Sequence, residues 1–193
     1  GCWQEAASLW NIAIAEGIVT PMTYYYWGWC LHQGGLPGVK QAFDDAVKAC
    51  PDYCFPNRLE AILALQCAME QNPDDARAPY YLGNLYYDKR QYDLAMKAWE
   101  TSARLDDSFP TVWRNLALVF FNKKNEEAKA IECMERAFCL DPTDARILME
   151  LDQLYKRVRR SHKERLAFLQ LYPDLIKQRD DLILEEITLL NQT

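Results

Sequence analysis

The chain has 193 residues, half of them hydrophobic, and a formal net charge of −6. This much apolar content excludes a disordered polymer, and the acidic balance argues against general nucleic-acid binding, which needs a cationic surface. Only seven glycines stand against abundant Ala, Leu, Glu and Lys, a balance that favours helix throughout.

Residues 2–16 read as an amphipathic helix ended by Glu16-Gly17. Thr20-Pro21 is a helix start, with Thr as the capping hydroxyl and Pro at the first helical position. That helix runs to about Gln33, where Gly34-Gly35 breaks it, and a third covers 37–50. Residues 51–57 hold two prolines and are the least helical stretch, the expected internal boundary. Helix 58–71 follows, with Ala61, Leu65 and Ala68 at second-helix spacing but no partner adjacent in sequence. Helix pairs are then expected at 75–88 with 91–105, 110–122 with 126–139, and 144–157 with 161–171, before a terminal piece, 173–193, helical from Pro173 to about 191. No stretch reaches the roughly 18–20 consecutive apolar residues that cross a bilayer.

A pattern returns along these pairs. Leu82-Gly83, Tyr86-Tyr87, Ala95, Trp99 and Leu105-Asp106 mark one unit. Leu116-Ala117, Phe120-Phe121, Ala130, Met134 and Leu140-Asp141-Pro142 mark the next, and Leu151 with Tyr155 opens a third. The step from Leu82 to Leu116 is 34 residues and from Leu116 to Leu151 is 35. This period and residue pattern resemble the tetratricopeptide repeat. The expected fold is all-α, a right-handed superhelical solenoid of antiparallel helix pairs. Residues 1–57 would form a degenerate N-terminal repeat with its proline loop, and 58–193 the array, with repeats at about 75–108, 109–143 and 144–172, all in one continuous solenoid domain. Gly83 with Ala95, and Ala117 with Ala130, are expected where the two helices of a pair approach most closely. Trp99 and Met134 are expected to fill the space between pairs.

Four stretches carry a narrower resemblance: Tyr53-Cys-Phe-Pro-Asn-Arg-Leu-Glu-Ala61, Asp75-Ala-Arg-Ala-Pro-Tyr-Tyr-Leu-Gly-Asn84, Phe109-Pro-Thr-Val-Trp-Arg-Asn-Leu-Ala117 and Glu150-Leu-Asp-Gln-Leu-Tyr-Lys-Arg157. From about residue 20 onward the chain resembles large bacterial proteins that carry a β-rich, galactose-mutarotase-like domain of unknown function before a long tetratricopeptide array. The resemblance implies that any sugar chemistry belongs to the β domain and that no catalytic residue lies here. A start at Gly1 without Met and an end on an uncapped apolar run are expected of a fragment of a longer protein.

Arrays of this kind bind extended peptides on the face lined by the first helix of each pair. Arg77, Tyr80, Asn84, Tyr87, Arg114, Asn115, Phe121, Arg146 and Gln153 are the expected contacts. Tyr87 and Phe121 are alternatively packing residues. A carboxylate clamp of the kind known in such arrays falls on Tyr80, Asn84, Asn115, Arg146 and Glu150, and Glu150 would repel a carboxylate. Glu150 stands four residues after Arg146 and is expected to pair with it or to compete with an acidic ligand. The run Tyr24-Tyr25-Tyr26-Trp27 with Trp29 suits either core packing or stacking on a sugar ring. Lys156-Arg-Val-Arg-Arg-Ser-His-Lys-Glu-Arg165 holds six basic residues in ten, read as a solvated turn or an anion site, with Asp180-Asp181 and Glu185-Glu186 downstream to neutralise part of it.

The seven cysteines, at 2, 30, 50, 54, 67, 133 and 139, are odd in number and scattered, so reduced thiols and a cytoplasmic protein are expected. Cys50 and Cys54 lack a second pair of metal ligands, since the only histidines are His32 and His162. No metal, cofactor or enzymatic activity is expected: there is no Gly-rich phosphate loop, nucleophile elbow or His-Glu-x-x-His. The expected function is a non-catalytic scaffold for a protein or peptide partner, or for the parent's own β domain, without nucleic acid. The alternative is an accessory module whose aromatic run meets a glycan or completes the adjacent domain's site.

Overall fold

The structure, a computed structural model, describes residues 1–51 and 53–192. Asp52, in the expected loop 51–57, and Thr193, the end of the expected terminal piece, lie outside the described residues. The helices are α1 Trp3–Ala15, α2 Pro21–Gln33, α3 Val39–Lys48, α4 Glu60–Gln71, α5 Arg77–Asp88, α6 Tyr92–Leu105, α7 Pro110–Val119, α8 Glu127–Leu140, α9 Ala145–Arg157, α10 His162–Leu169, α11 Pro173–Ile176 and α12 Asp180–Leu190. There is no strand among the described residues. The chain after Pro173 forms two helices rather than one piece, with a turn between Ile176 and Asp180.

Local chemistry sets the helix starts. Thr20 and Thr23 form a reciprocal capping box ahead of Pro21, and Ser161 with Glu164 does the same for α10. The Asp144 side chain accepts from the backbone N–H groups of Arg146 and Ile147. Asp75 accepts from those of Arg77 and Ala78 at 2.8 and 3.1 Å, while its other oxygen takes the Tyr25 hydroxyl at 2.7 Å. Helix ends are less visible in sequence. Gly35 closes α2 with φ +63°, and Arg90, Asn125 and Arg159 adopt the same left-handed conformation after α5, α7 and α9. At Arg90 and Arg159 the next residue's N–H bonds back to Tyr86 and Tyr155, which satisfies carbonyls left open by the helix end.

The chain folds as two compact units, Gly1–Asp106 and Asp107–Thr193. In the first, α1 packs on α2, α2 pairs with α3, and α5 pairs with α6. Helix α4, which had no evident partner in sequence, packs on both α2 and α5. Its Ala61, Leu65 and Ala68 are fully buried beside Tyr25, Phe43, Tyr81 and Leu85. In the second unit α7 pairs with α8, α8 and α10 pack on α9, and α12 packs on α10. Met134, Leu148, Leu151, Leu169 and Leu182 fill its interior.

Pair crossings recur at one register. A Cβ on Gly28 of α2 would stand 2.5 Å from Phe43 Cε1 of α3. On Gly83 of α5 it would stand 2.5 Å from Trp99 Cδ1 of α6. Trp99 therefore lies within its own helix pair, which corrects the expectation that it fills the space between pairs. Ala95, one turn before Trp99, is fully buried. Ala117 and Met134 are both fully buried at the corresponding positions of α7 and α8.

Candidate functional site

In the first unit the expected ligand contacts are held by internal partners. The Arg77 guanidinium donates to the Ala49 carbonyl at 3.0 Å and ties α5 to the end of α3. Tyr80 packs against Tyr81 with ring centroids 5.2 Å apart. Asn84 Oδ1 accepts from Trp99 Nε1 at 3.1 Å, so the indole that covers Gly83 also fixes this amide. Tyr87 lies between Tyr92 and Trp99, at 5.2 and 5.5 Å, in the packing role.

In the second unit two of them, Phe121 and Gln153, line a small groove. The last turn of α7 widens into a π-helical turn, Phe120–Lys124, ended by Asn125 in the left-handed conformation. Such turns re-aim side chains and recur at functional sites. This one brings Phe121 and Asn122, with Leu118 one turn earlier, against Met149, Glu150, Gln153, Leu154 and Arg157 of α9, around a space of about 210 Å³. The walls are mainly apolar. The Arg157 guanidinium sits over the Phe121 ring at 5.2 Å. Gln153 has no hydrogen bond to the described chain.

The charges beside the groove differ from the expected pairing. Arg114 grips Glu150 through two hydrogen bonds, Nε to Oε2 at 2.6 Å and Nη2 to Oε1 at 2.5 Å. Glu150 therefore does not pair with Arg146. A bidentate guanidinium from the adjacent helix outcompetes a same-helix neighbour. Arg146 is exposed and, among the described residues, pairs with Asp144 at 3.5 Å. Asn115 lies beside Arg114, whose Nη1 is 3.5 Å from its side-chain oxygen.

The aromatic run divides. Tyr25 is fully buried and bonded to Asp75, Tyr26 stacks on Trp10 at 5.3 Å and 8°, and Tyr24 and Trp27 pack on neighbouring core residues. Trp29 opens to a cleft, where it meets Trp3. The basic run is largely engaged. Arg165 is buried and bonded twice to Asp152, at 3.0 and 2.5 Å, and once to Glu185 at 2.7 Å. Lys156 also reaches Glu185, at 2.8 Å, and Arg160 covers Tyr155 at 3.7 Å from the ring centroid. Asp181 pairs with Arg179 rather than with this run.

Cys50 is exposed whereas Cys54 is buried in the core beside Met22 and Tyr81, so the two thiols face different surroundings. Burial pushes the Cys54 thiol up, which disfavours the thiolate a metal needs. Among the described residues no group of three His, Cys, Asp or Glu side chains could hold a metal ion, and no helix is long and apolar enough to cross a membrane.

Residues 83–124, the segment that includes Gly83, Trp99, Arg114 and Phe121, match a family model described as TPR repeat. The human RANBP2-like and GRIP domain-containing protein 8 is 33% identical over 75 residues, which cover 39% of this chain and 4% of that protein. The chain thus matches only a small part of that relative's length. Among solved structures, YrrB, described as a TPR protein with an unusual peptide-binding site, superposes with a TM-score of 0.58 at 17% identity, covering 97% of this chain and 84% of its own. MamA from Desulfovibrio magneticus RS-1 gives 0.54 at 20% identity, covering 93% and 89%. The fold is the tetratricopeptide fold.

Proposed function

We propose that the chain is a non-catalytic scaffold that takes up an extended peptide segment along its first helices, with one apolar side chain of that segment seated between α7 and α9. The groove between the π-helical turn and α9 carries this reading. It offers Leu118, Phe121, Met149 and Leu154 to an apolar side chain and the unpaired Gln153 amide to the adjacent backbone. The likeness to YrrB, itself described as having a peptide-binding site, supports the same use of the fold. Asn115 and Arg146 extend the contact surface in this reading. Because Arg114 neutralises Glu150 and Arg157 lies on Phe121, the groove favours a neutral or mixed-charge segment. The partner is a separate protein, or the β-rich domain of a longer bacterial polypeptide of which this array is one part, working in the cytoplasm.

A peptide array probed with the purified chain tests this. Binders should be mixed-charge peptides with a bulky apolar residue, weakened about tenfold by Gln153→Ala, a loss of about 1.4 kcal/mol. Tight binding of acidic C-terminal peptides, abolished by Arg146→Ala, would restore the carboxylate clamp. If no peptide binds, docking against the β domain becomes the better reading.

A further inference from the structure

The first unit holds a second, chemically different cleft. Trp3 of α1 and Trp29 of α2 meet edge to face, with ring centroids 5.3 Å apart and planes 66° apart, and form an L-shaped corner. His32, Gln33, Gln66 and Glu70, from α2 and α4, surround the corner in a cleft of about 460 Å³. The side chains of His32, Gln33 and Glu70 carry no hydrogen bond or ion pair to the described chain, and Gln66 has only a 3.5 Å contact with the Tyr86 hydroxyl. Leu63 and Cys67 complete the lining. Burial first, then the Glu70 charge, pushes the Cys67 thiol up to about 11, so that part of the wall is uncharged.

We propose that this cleft is a binding site for a neutral pyranose unit of a glycan. An indole face matches the C–H face of a sugar ring, and its N–H remains available as a donor at the rim. Planar amides, which donate and accept, and a carboxylate, which accepts, match adjacent hydroxyls, which do both. No Lys or Arg lines the cleft, so an anionic sugar or a phosphate has no counter-charge there. A quaternary ammonium would use the indoles and Glu70. It would, however, dehydrate His32, Gln33 and Gln66 without replacing their hydrogen bonds. The cleft is lined from α1, α2 and α4, whereas the peptide groove lies on α7 and α9, so the two sites are separable by mutation.

The test is a glycan array probed with the purified chain, followed by calorimetric titration of each binder. Binding should weaken about tenfold in Trp3→Ala and in Glu70→Gln, each checked for an unchanged circular dichroism spectrum, and stay unchanged in Gln153→Ala. Trp3 packs partly on the core, so Gln33→Ala replaces Trp3→Ala should the latter unfold. Three results overturn the proposal: no saccharide bound by the unmodified chain, saccharide binding indifferent to these variants, or tetramethylammonium bound in a Glu70-dependent manner while sugars are not. Peptide-array binding measured on the same preparation keeps a failure here distinct from a failure of the scaffold reading.

Discussion

The crossing of α5 with α6 and the crossing of α9 with α10 hold equivalent positions and use opposite chemistry. In the first, Gly83 lies under the Trp99 indole. The register moves by 34 residues to Ala117 and by a further 35 to Asp152, and Asp152 meets a buried arginine, Arg165, from the second helix of its pair. Both crossings bring two helices together at the same point of the repeat. The repeat therefore specifies where contact is made, and the side chains decide how it is sustained. A glycine beneath an aromatic ring needs only shape. A buried ion pair needs every partner in place, because either charge alone is expensive away from water. The Arg165 network draws on three helices, with Asp152 and Lys156 from α9, Arg165 from α10 and Glu185 from α12.

The largest effect should come from breaking that pair. Arg165→Ala leaves the Asp152 carboxylate, 1% exposed, without its guanidinium and should cost about 3–5 kcal/mol. Urea denaturation, with hydrogen exchange confined to peptides of α9, α10 and α12, measures it. The double replacement Asp152→Ala with Arg165→Leu should recover most of the loss, since apolar contact can replace a buried pair. A single variant within 1 kcal/mol of the parent would mean that the ions do not hold this crossing.

Gly83→Ala probes the other crossing and should cost less. The new methyl group would overlap Trp99 and force the indole to move, straining its 3.1 Å bond to Asn84. Overpacking of this kind costs about 1–3 kcal/mol. The thermal midpoint should fall, and the Trp99 indole N–H resonance should shift. An unperturbed resonance would show that the pair has room to spare and that glycine is not required there.

Sequence legibility follows the same division between local and tertiary causes. The start of α2 was readable because the Thr20 hydroxyl acts on a backbone group three residues away, as Asp144 does at the start of α9. The left-handed ends at Arg90, Asn125 and Arg159 were not, because none of them uses glycine, the residue that announces such an end at Gly17 and Gly35. The all-α repeat architecture was legible from its period. The candidate site was legible only in part. Phe121 and Gln153 line the groove, but Leu118 and Met149 at helical spacing read equally well as core. The partners of Arg77 and Asn84, the Ala49 carbonyl and the Trp99 indole, lie 28 and 15 residues away. The expected Arg146–Glu150 pair used the local spacing rule and lost to Arg114, 36 residues from Glu150. Helix spacing states which residues share a face; it does not state which of them already have a partner.

Acidification should separate the two units by the smallest and most gradual effect. Burial opposes ionisation of Glu185, but hydrogen bonds from Lys156 and Arg165 outweigh it and hold the carboxyl below the usual value. Hydrogen bonds from Ser161 lower Glu164, and the Arg179 guanidinium lowers Asp181. A depressed carboxyl contributes stability above its unfolded value of about 4 and loses it as pH falls through the folded value. Asp75, in the first unit, is shifted the other way: burial raises it, against the bonds from Tyr25 and the backbone N–H groups of Ala78 and Arg77. Its contribution is complete below the unfolded value and declines as pH rises through the folded one. Burial raises Asp152 as well, so its contact with Arg165 follows Asp75. Between about pH 6 and pH 3, acid should therefore loosen the Glu185, Glu164 and Asp181 contacts of α10 and α12 before the Tyr25–Asp75 contact. Hydrogen exchange across that range, read by peptide, checks the order. Faster exchange in α2 and α5 than in α10 and α12 at the acid end would mean that the ion network is not what distinguishes the two units.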